Sequence, residues 1–286
     1  MTASRLEDGL QRLQVAAVPE ELIERWRMLF LCLARYGSAV VAYSGGVDSG
    51  LLAYTVHLAL GERMMAVTIA SPLEPPAQVD RAARFAAEVG LPHTTLVSSP
   101  LANPDIVSNA PTRCYYCKRA ILQQLHGYAA EHGYAVVVEG QNLDDVGDYR
   151  PGRRAVQETN TRSPLLENGL SKAEIRQLAR ALGLSIWDLP TSPCLATRFP
   201  YGEPLEAEAL QRVAHAEGFL HDLGFGVVRV RVHRQLARIE VPLSDLPTLL
   251  AHREEIVTRL KDIGYHYVSM DLQGYRQGSL NEGLEL

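Results

Sequence analysis

The pattern that most restricts this chain is a five-residue apolar run, Ala39-Val40-Val41-Ala42-Tyr43, followed at once by Ser44-Gly45-Gly46-Val47-Asp48-Ser49 and a helical stretch to Leu60. A short buried strand that turns through two glycines into a helix delivers the helix N-terminus to the strand's carboxyl end. There the unpaired N–H groups and the positive end of the helix dipole favour an anion. The glycines let the backbone approach that anion closely. Ser44 and Ser49 add hydroxyl donors, and Asp48 beside a phosphate cradle makes chemical sense through a bound cation. The loop is not a Walker A motif, because the G-x-x-x-x-G-K-[ST] spacing and its lysine are missing. A plain Gly-Gly turn is the bland alternative. The strand before it, the helix after it and Asp48 favour the phosphate site.

The flanking sequence repeats the same alternation. Met65–Ala70 reads as strand, Pro76–Val89 as helix, His93–Val97 as strand, Lys118–Glu131 as helix and Ala135–Glu139 as strand. Strands separated by helices of this length predict βαβ units and a parallel sheet covered on both faces. Ser171 and Glu174 form a capping-box pattern ahead of Ile175, Leu178, Ala179 and Leu182, and Gly183 ends that helix. From about Leu189 the character changes. A proline-punctuated stretch leads to a helix over Leu205–Leu223, strands at Val227–His233 and Ala237–Val241, a helix near Leu246–Ile263 and a strand at His266–Leu272. The expected class is therefore α/β, with a phosphate-binding domain over residues 1–188 and a smaller α+β domain over 189–286. Two domains also suit 286 residues at roughly 150 per domain.

Composition removes several function classes. With 47% hydrophobic and 21% charged residues the chain has ordinary globular usage, not that of a disordered one. The longest fully apolar run, Met28–Ala34, falls far short of the roughly 18 residues of a bilayer span. Glu7 and Asp8 stand where a secretory signal would carry its apolar region. A net charge of −5 argues against a protein whose main task is gripping a phosphate backbone. Four cysteines are too few for a disulfide scaffold, so a reducing cytoplasm is the expected compartment.

Those cysteines suggest chemistry of their own. Cys114 and Cys117 form a C-x-x-C just before the helix expected at Lys118, and Cys194 follows Pro193 much later in the chain. Cys32 lies in an apolar helical run and reads as a core residue. Three thiolates are one ligand short of a closed zinc site unless a histidine or carboxylate completes it. They also suit a [4Fe–4S] cluster with one iron left open. An incidental or redox C-x-x-C with an unrelated third cysteine is the plain reading.

Ser44–Ser49 resembles the PP-loop signature of the ATP pyrophosphatases, which adenylate a substrate and release pyrophosphate. Val138–Asp145 and the stretch from Ser163 through Lys172 to Arg176 are similar to that superfamily's second and third regions. Asp148–Arg153, Arg198–Gly202 and Val228–His233 then resemble one branch, the LarE family. It places sulfur in pyridinium-3,5-biscarboxylic acid mononucleotide for the nickel-pincer cofactor of lactate racemase. The better-known members of that family sacrifice the sulfur of a single cysteine at the position of Cys194. Cys114 and Cys117 resemble the three-cysteine members instead.

In the second domain, Arg229 and Arg231 alternate with valines, so period two puts both arginines on one face. Arg238 and Glu240 do the same on the next strand. Arginine forks suit the phosphate and carboxylates of a nucleotide-like diacid. A solvated strand face with cross-strand ion pairs is the alternative. The resemblance matches Arg229, Arg231 and Glu240 to polar residues near a phosphate and a divalent cation, and puts Arg198 in a substrate-binding segment. Lys118 could steady a carboxylate or adenylate, or be an exposed first-turn residue. Asp148 and Arg150 read as substrate or ATP contacts, or as loop structure.

The resemblance implies an ATP-dependent sulfur transferase using Mg²⁺. Cys114, Cys117 and Cys194 would hold the [4Fe–4S] cluster, and the catalytic set would be these cysteines with Asp48. It implies a small nucleotide-like substrate, sulfide or another sulfur donor, no membrane or nucleic-acid partner, and a homo-oligomer, by analogy a hexamer. Two other readings are an iron–sulfur tRNA thiolase, which lacks a basic stripe or cysteine-rich finger here, and a non-catalytic ATP- or metal-binding sensor with structural zinc.

Overall fold

The computed structural model describes residues 2–146, 152–276 and 278–282. Its contacts divide the chain into two compact units. One comprises Met1–Ser71, Gln78–Ser98 and Cys114–Ser192, and the other Pro72–Ala77, Ser99–Arg113 and Pro193–Leu286.

The first unit opens with helices α1 (Thr2–Val15) and α2 (Glu20–Ala34). An alternation of β1 (Ala39–Ala42), α3 (Val47–Leu60), β2 (Met64–Ala70), α4 (Pro76–Val89) and β3 (His93–Val97) follows. After α5 (Pro104–Val107), which belongs to the second unit, come α6 (Arg113–Glu131), β4 (Val136–Val138), α7 (Gly152–Glu158), α8 (Pro164–Glu167) and α9 (Lys172–Ala181). The four strands are parallel in the order β3-β2-β1-β4. Val40 and Val41 on β1 and Val137 and Val138 on β4 are fully buried. That is why these strands read as continuous apolar runs and not as alternating ones. Trp26, Leu29, Phe30 and Leu33 of α2 join Leu51, Leu52 and Val56 of α3 in one core.

Strand order matters for function. The chain leaves β1 for β2 on one side, and β4 lies on the other, so the order reverses between β1 and β4. At such a switch point the loops leaving the two strands diverge and open a crevice beyond their carboxyl ends. The Ser44–Ser49 turn and the Glu139–Asp145 loop both leave the sheet there. The capping box forms as expected: Ser171 Oγ accepts from Glu174 N, and the Glu174 carboxylate accepts from Ser171 N.

The second unit contains a 3₁₀ turn at Leu195–Arg198, then α10 (Ala207–Asp222), β5 (Arg229–His233), β6 (Leu236–Glu240), α11 (Leu246–Ala251), α12 (Arg253–Asp262) and β7 (Tyr267–Met270). Strands β5 and β6 form an antiparallel hairpin, and β7 adds in parallel to β6. Leu210, Val213, Ala216 and Leu220 of α10 are buried.

Two expectations shift. The helix expected from Lys118 starts at Arg113, so the C-x-x-C lies inside its first turns and not before them. That turn, Arg-Cys-Tyr-Tyr-Cys-Lys, has no apolar period to announce a helix. The single helix expected over Leu246–Ile263 is two, separated by His252 at φ −90° and ψ 9°. Glu254 and Glu255 then occupy the first turn of a new helix, where the dipole favours acids.

Candidate active site

Gly45 has φ +73°, and a Cβ placed on it would lie 2.8 Å from the Cβ of Ala82. Both the left-handed backbone and the closeness of α4 therefore exclude a side chain. Gly46 is the N-cap of α3. Ser49 Oγ accepts from Ser44 N at 3.2 Å and lies 3.0 Å from Ser44 Oγ, which ties the two hydroxyls together. Across the switch point, a Cβ on Gly140 would come within 3.0 Å of Ser49 N, so the loop after β4 presses directly on the start of α3.

Asp48 stands in the first turn of α3. Its Oδ2 is ion-paired with Lys172 Nζ, whereas its Oδ1 is buried with no hydrogen-bond partner. Burial pushes the Asp48 carboxyl above its usual range, and Lys172 opposes that shift. An unsatisfied buried oxygen carries a substantial desolvation cost, and here it belongs to a residue of the Ser44–Ser49 turn itself. A magnesium ion fits this donor, because Mg²⁺ is commonly held by one or two carboxylates together with substrate phosphates. Lys172 is oriented by its own backbone, whose N–H donates to Asp144 Oδ2 at 2.6 Å.

Lys118 Nζ lies 2.9 Å from Glu139 Oε2, at the end of β4. Glu139 is 5% exposed and also accepts from Ser163 Oγ and Gln141 N. The start of α6, with Cys114, Cys117 and Lys118, is thereby linked to the loop after β4. Cys114 and Cys117, three apart in the first turns, share one face of that helix. Cys194 belongs to the second unit, at the N-cap of the 3₁₀ turn. All four cysteines are partly buried. Among the described residues no three of His, Cys, Asp and Glu are gathered as a metal site. The donor chemistry of three thiolates nonetheless fits an iron–sulfur cluster. Asp148 and Arg150 lie outside the described residues.

In the second unit, Arg198, Pro200, Tyr201, Arg231, His233, Arg238, Ser279, Leu280 and Glu282 line a cavity of about 300 Å³. Period two correctly places Arg229, Arg231, Arg238 and Glu240 on one face of the hairpin, but there Arg229, Arg231 and Glu240 are buried and Arg238 partly so. Arg231 donates to Glu240 Oε2 at 3.0 Å, to Thr197 O at 2.6 Å and to Ser279 Oγ at 3.1 Å. Glu240, 1% exposed, has its other oxygen taken by Arg238 at 3.2 Å. Arg229 is buried with its guanidinium over the Tyr275 ring, and burial pulls its pKa down. Arg198 makes two 2.8 Å bonds to Glu217 of α10.

The chain matches the family model described as "Thiamine biosynthesis protein (ThiI)" over residues 34–218. It is 36% identical over 245 residues to a pyridinium-3,5-bisthiocarboxylic acid mononucleotide synthase of Lactiplantibacillus plantarum, covering 85% of this chain and 89% of that one. The chain belongs to the LarE family of PP-loop proteins. It is also 42% identical over 267 residues to an uncharacterized protein of Synechocystis, covering 93% of this chain and 98% of that one. An uncharacterized protein of Methanocaldococcus jannaschii is 32% identical, over 83% of this chain and 90% of its own length. PP-loop membership accords with the Ser44–Ser49 cradle and with ATP as its ligand. Among the described residues no helix is long and apolar enough to cross a membrane.

Several residues of the site escaped the sequence reading. Lys172 enters the sequence reading only within the third PP-loop region, with no role of its own. Glu217 had a readable signal: an acid at the helical spacing of Val213 and Leu220, on the apolar face of α10, announces a buried ion pair. His233 lines the cavity but enters the sequence reading only as the end of a strand, whereas Arg238, which lines it too, is read there as part of the polar strand face.

Proposed function

We propose that this protein is an ATP-dependent sulfur transferase that converts carboxylates of pyridinium-3,5-biscarboxylic acid mononucleotide into thiocarboxylates. The supporting observation is the buried, unpartnered Oδ1 of Asp48, in the Ser44–Ser49 turn, on a carboxylate whose other oxygen is paired with Lys172. A carboxylate is a poor acyl donor because its leaving group would be oxide. Its oxygen attacks the α-phosphorus of ATP, pyrophosphate leaves, and an acyl-adenylate forms. A sulfur nucleophile then attacks the acyl carbon, the bond to AMP breaks, and a thiocarboxylate results.

Ser44, Ser49 and the backbone of Gly45 and Gly46 would hold the phosphates. Asp48 would carry Mg²⁺, which offsets phosphate charge, while Lys172 would stabilise the departing pyrophosphate. The arginine-lined cavity of the second unit suits the anionic groups of a mononucleotide diacid. Arg198 and Arg231 are held there by Glu217 and Glu240, so each would reach an anion only with the donors its present partners leave over. Cys114, Cys117 and Cys194 would hold a [4Fe–4S] cluster, which would supply a site for sulfide. Glu240 could hold a cation only by giving up its arginine partners.

Substrate-dependent exchange of labelled pyrophosphate into ATP tests the reading. Exchange with the mononucleotide that disappears in Asp48→Ala supports it. Exchange with no dependence on the mononucleotide contradicts it.

A further inference from the structure

The turn that carries Cys194 is gripped from behind by side chains that have no place in the chemistry above. Asn109 is fully buried and sits in the left-handed region at φ +51°. Its Nδ2 donates to Pro200 O at 2.8 Å, and its backbone carbonyl accepts from Gly202 N at 3.1 Å. Its Oδ1 accepts from the guanidinium of Arg113, one turn further on. Arg113 is 2% exposed and also donates to Ala196 O at 3.3 Å. Its guanidinium carbon lies 5.9 Å from the centre of the Tyr201 ring.

These contacts converge on one short segment. Ala196 O and Pro200 O are held by Arg113 and Asn109, and Leu195 N is held by Leu73 O at 2.7 Å. From the other side, Arg198 donates to Pro193 O at 3.0 Å and Cys194 O at 3.3 Å. Leu195 and Ala196 are buried, whereas Cys194 itself remains partly exposed. A buried guanidinium is costly unless its donors are satisfied. Spending one on a loop carbonyl makes sense where the loop must hold a single geometry, and a reacting group needs its support fixed to within a fraction of an ångström. In the chain, Arg113 also directly precedes Cys114.

We infer that Asn109 and Arg113 are positioning residues for Cys194, fixing the turn from which its thiol takes part in sulfur transfer. The inference rests on the sulfur-handling role proposed for Cys194. It separates two steps that share one enzyme: adenylation draws on the Ser44–Ser49 cradle, whereas sulfur transfer draws on the placement of Cys194.

The test compares Arg113→Met, Asn109→Gly and Asn109→Asp with the wild type. Glycine keeps the left-handed backbone but removes the side chain. Aspartate keeps an acceptor for Arg113. Arg113→Met and Asn109→Gly should release pyrophosphate within threefold of the wild-type rate, yet yield at least tenfold less thiocarboxylate per pyrophosphate. Asn109→Asp, which keeps the acceptor for Arg113 but loses the donor to Pro200 O, should recover only part of that ratio. In protein freed of iron, ATP and substrate, so that no cluster covers the thiol, iodoacetamide should label Cys194 at least fivefold faster in Arg113→Met, with labelling of Cys32 unchanged. An unaltered ratio with unaltered labelling overturns the inference, and so does a parallel loss of pyrophosphate release and thiocarboxylate. Failure of both Arg113→Met and Asn109→Gly to fold also overturns it, since the pair would then be purely structural. If the wild type releases no pyrophosphate, the sulfur-transferase reading fails, while the labelling result still decides whether these residues place Cys194.

Discussion

Lys172 Nζ is ion-paired with Asp48 Oδ2, across a sequence separation of 124 residues, while the second carboxylate oxygen of Asp48 is buried without a partner. One oxygen is neutralised by a cation of the chain, and the other is left for a cation the chain does not provide. The pair joins the first turn of α3 to the first residue of α9, so the N-terminal turns of two helices meet at one point.

Removing that lysine should therefore affect chemistry more than folding. Lys172→Ala is expected to lower substrate-dependent pyrophosphate release at least tenfold, with a larger effect on kcat than on the KM for ATP. Lys172→Arg should recover part of the rate. A raised KM for ATP with kcat unchanged in the alanine variant would point to ground-state binding of ATP instead.

Arg198 and Glu217 are 1% and 8% exposed at their side chains. Breaking such a buried pair from one side leaves an uncompensated charge, at a cost of about 3–5 kcal/mol. Glu217→Ala should lower the urea midpoint accordingly. The double variant Arg198→Met, Glu217→Met should be more stable than Glu217→Ala. Finding the double variant to be the less stable of the two would contradict this account of the pair.

His233 lines the cavity beside three arginines, and burial, followed by the charge of Arg238, pulls its pKa below the usual 6.5. It is therefore neutral near pH 7. Because its folded value is lowered, its protonation disfavours the folded state, so this group's contribution to stability is lost as pH falls below 6.5. Bound anions reverse the balance. Sulfate, whose charge is constant in this range, should bind the second unit more tightly as pH drops from 7 to 5. Titration calorimetry on His233→Gln should show a much flatter dependence.

The cysteines make a separate prediction. Cys114→Ala, Cys117→Ala and Cys194→Ala should each lose iron and acid-labile sulfide when purified without oxygen, while Cys32→Ala keeps both. Full iron retention in a Cys114→Ala, Cys117→Ala double variant would remove the cluster from the account and favour a sacrificial Cys194.

What could be read in the sequence followed from short-range rules. Strand β1, the glycine turn, helix α4, strand β3 and the capping box at Ser171 each depend on residues within a few positions of one another. The alternation on β5 and β6 is equally local, and it placed Arg229, Arg231, Arg238 and Glu240 on one face. It could not say that the face is buried, because that depends on α10 and on residues near Ser279. The contacts Lys172–Asp48, Arg113–Ala196 and Asn109–Pro200 span 124, 83 and 91 residues, and no local period announces them. The start of α6 was missed for the opposite reason: its first turn carries chemistry-bearing residues where an apolar stripe would have signalled a helix.

The central claim is that ATP cleavage drives replacement of a carboxylate oxygen by sulfur. Anaerobic turnover with ATP, Mg²⁺, sulfide and pyridinium-3,5-biscarboxylic acid mononucleotide, followed by mass spectrometry of the products, tests it most directly. The account predicts a thiocarboxylate formed over several turnovers with one AMP and one pyrophosphate per sulfur, and Cys194 intact at the end. AMP and pyrophosphate released with no sulfur in the nucleotide, or no ATP cleavage at all, would contradict it.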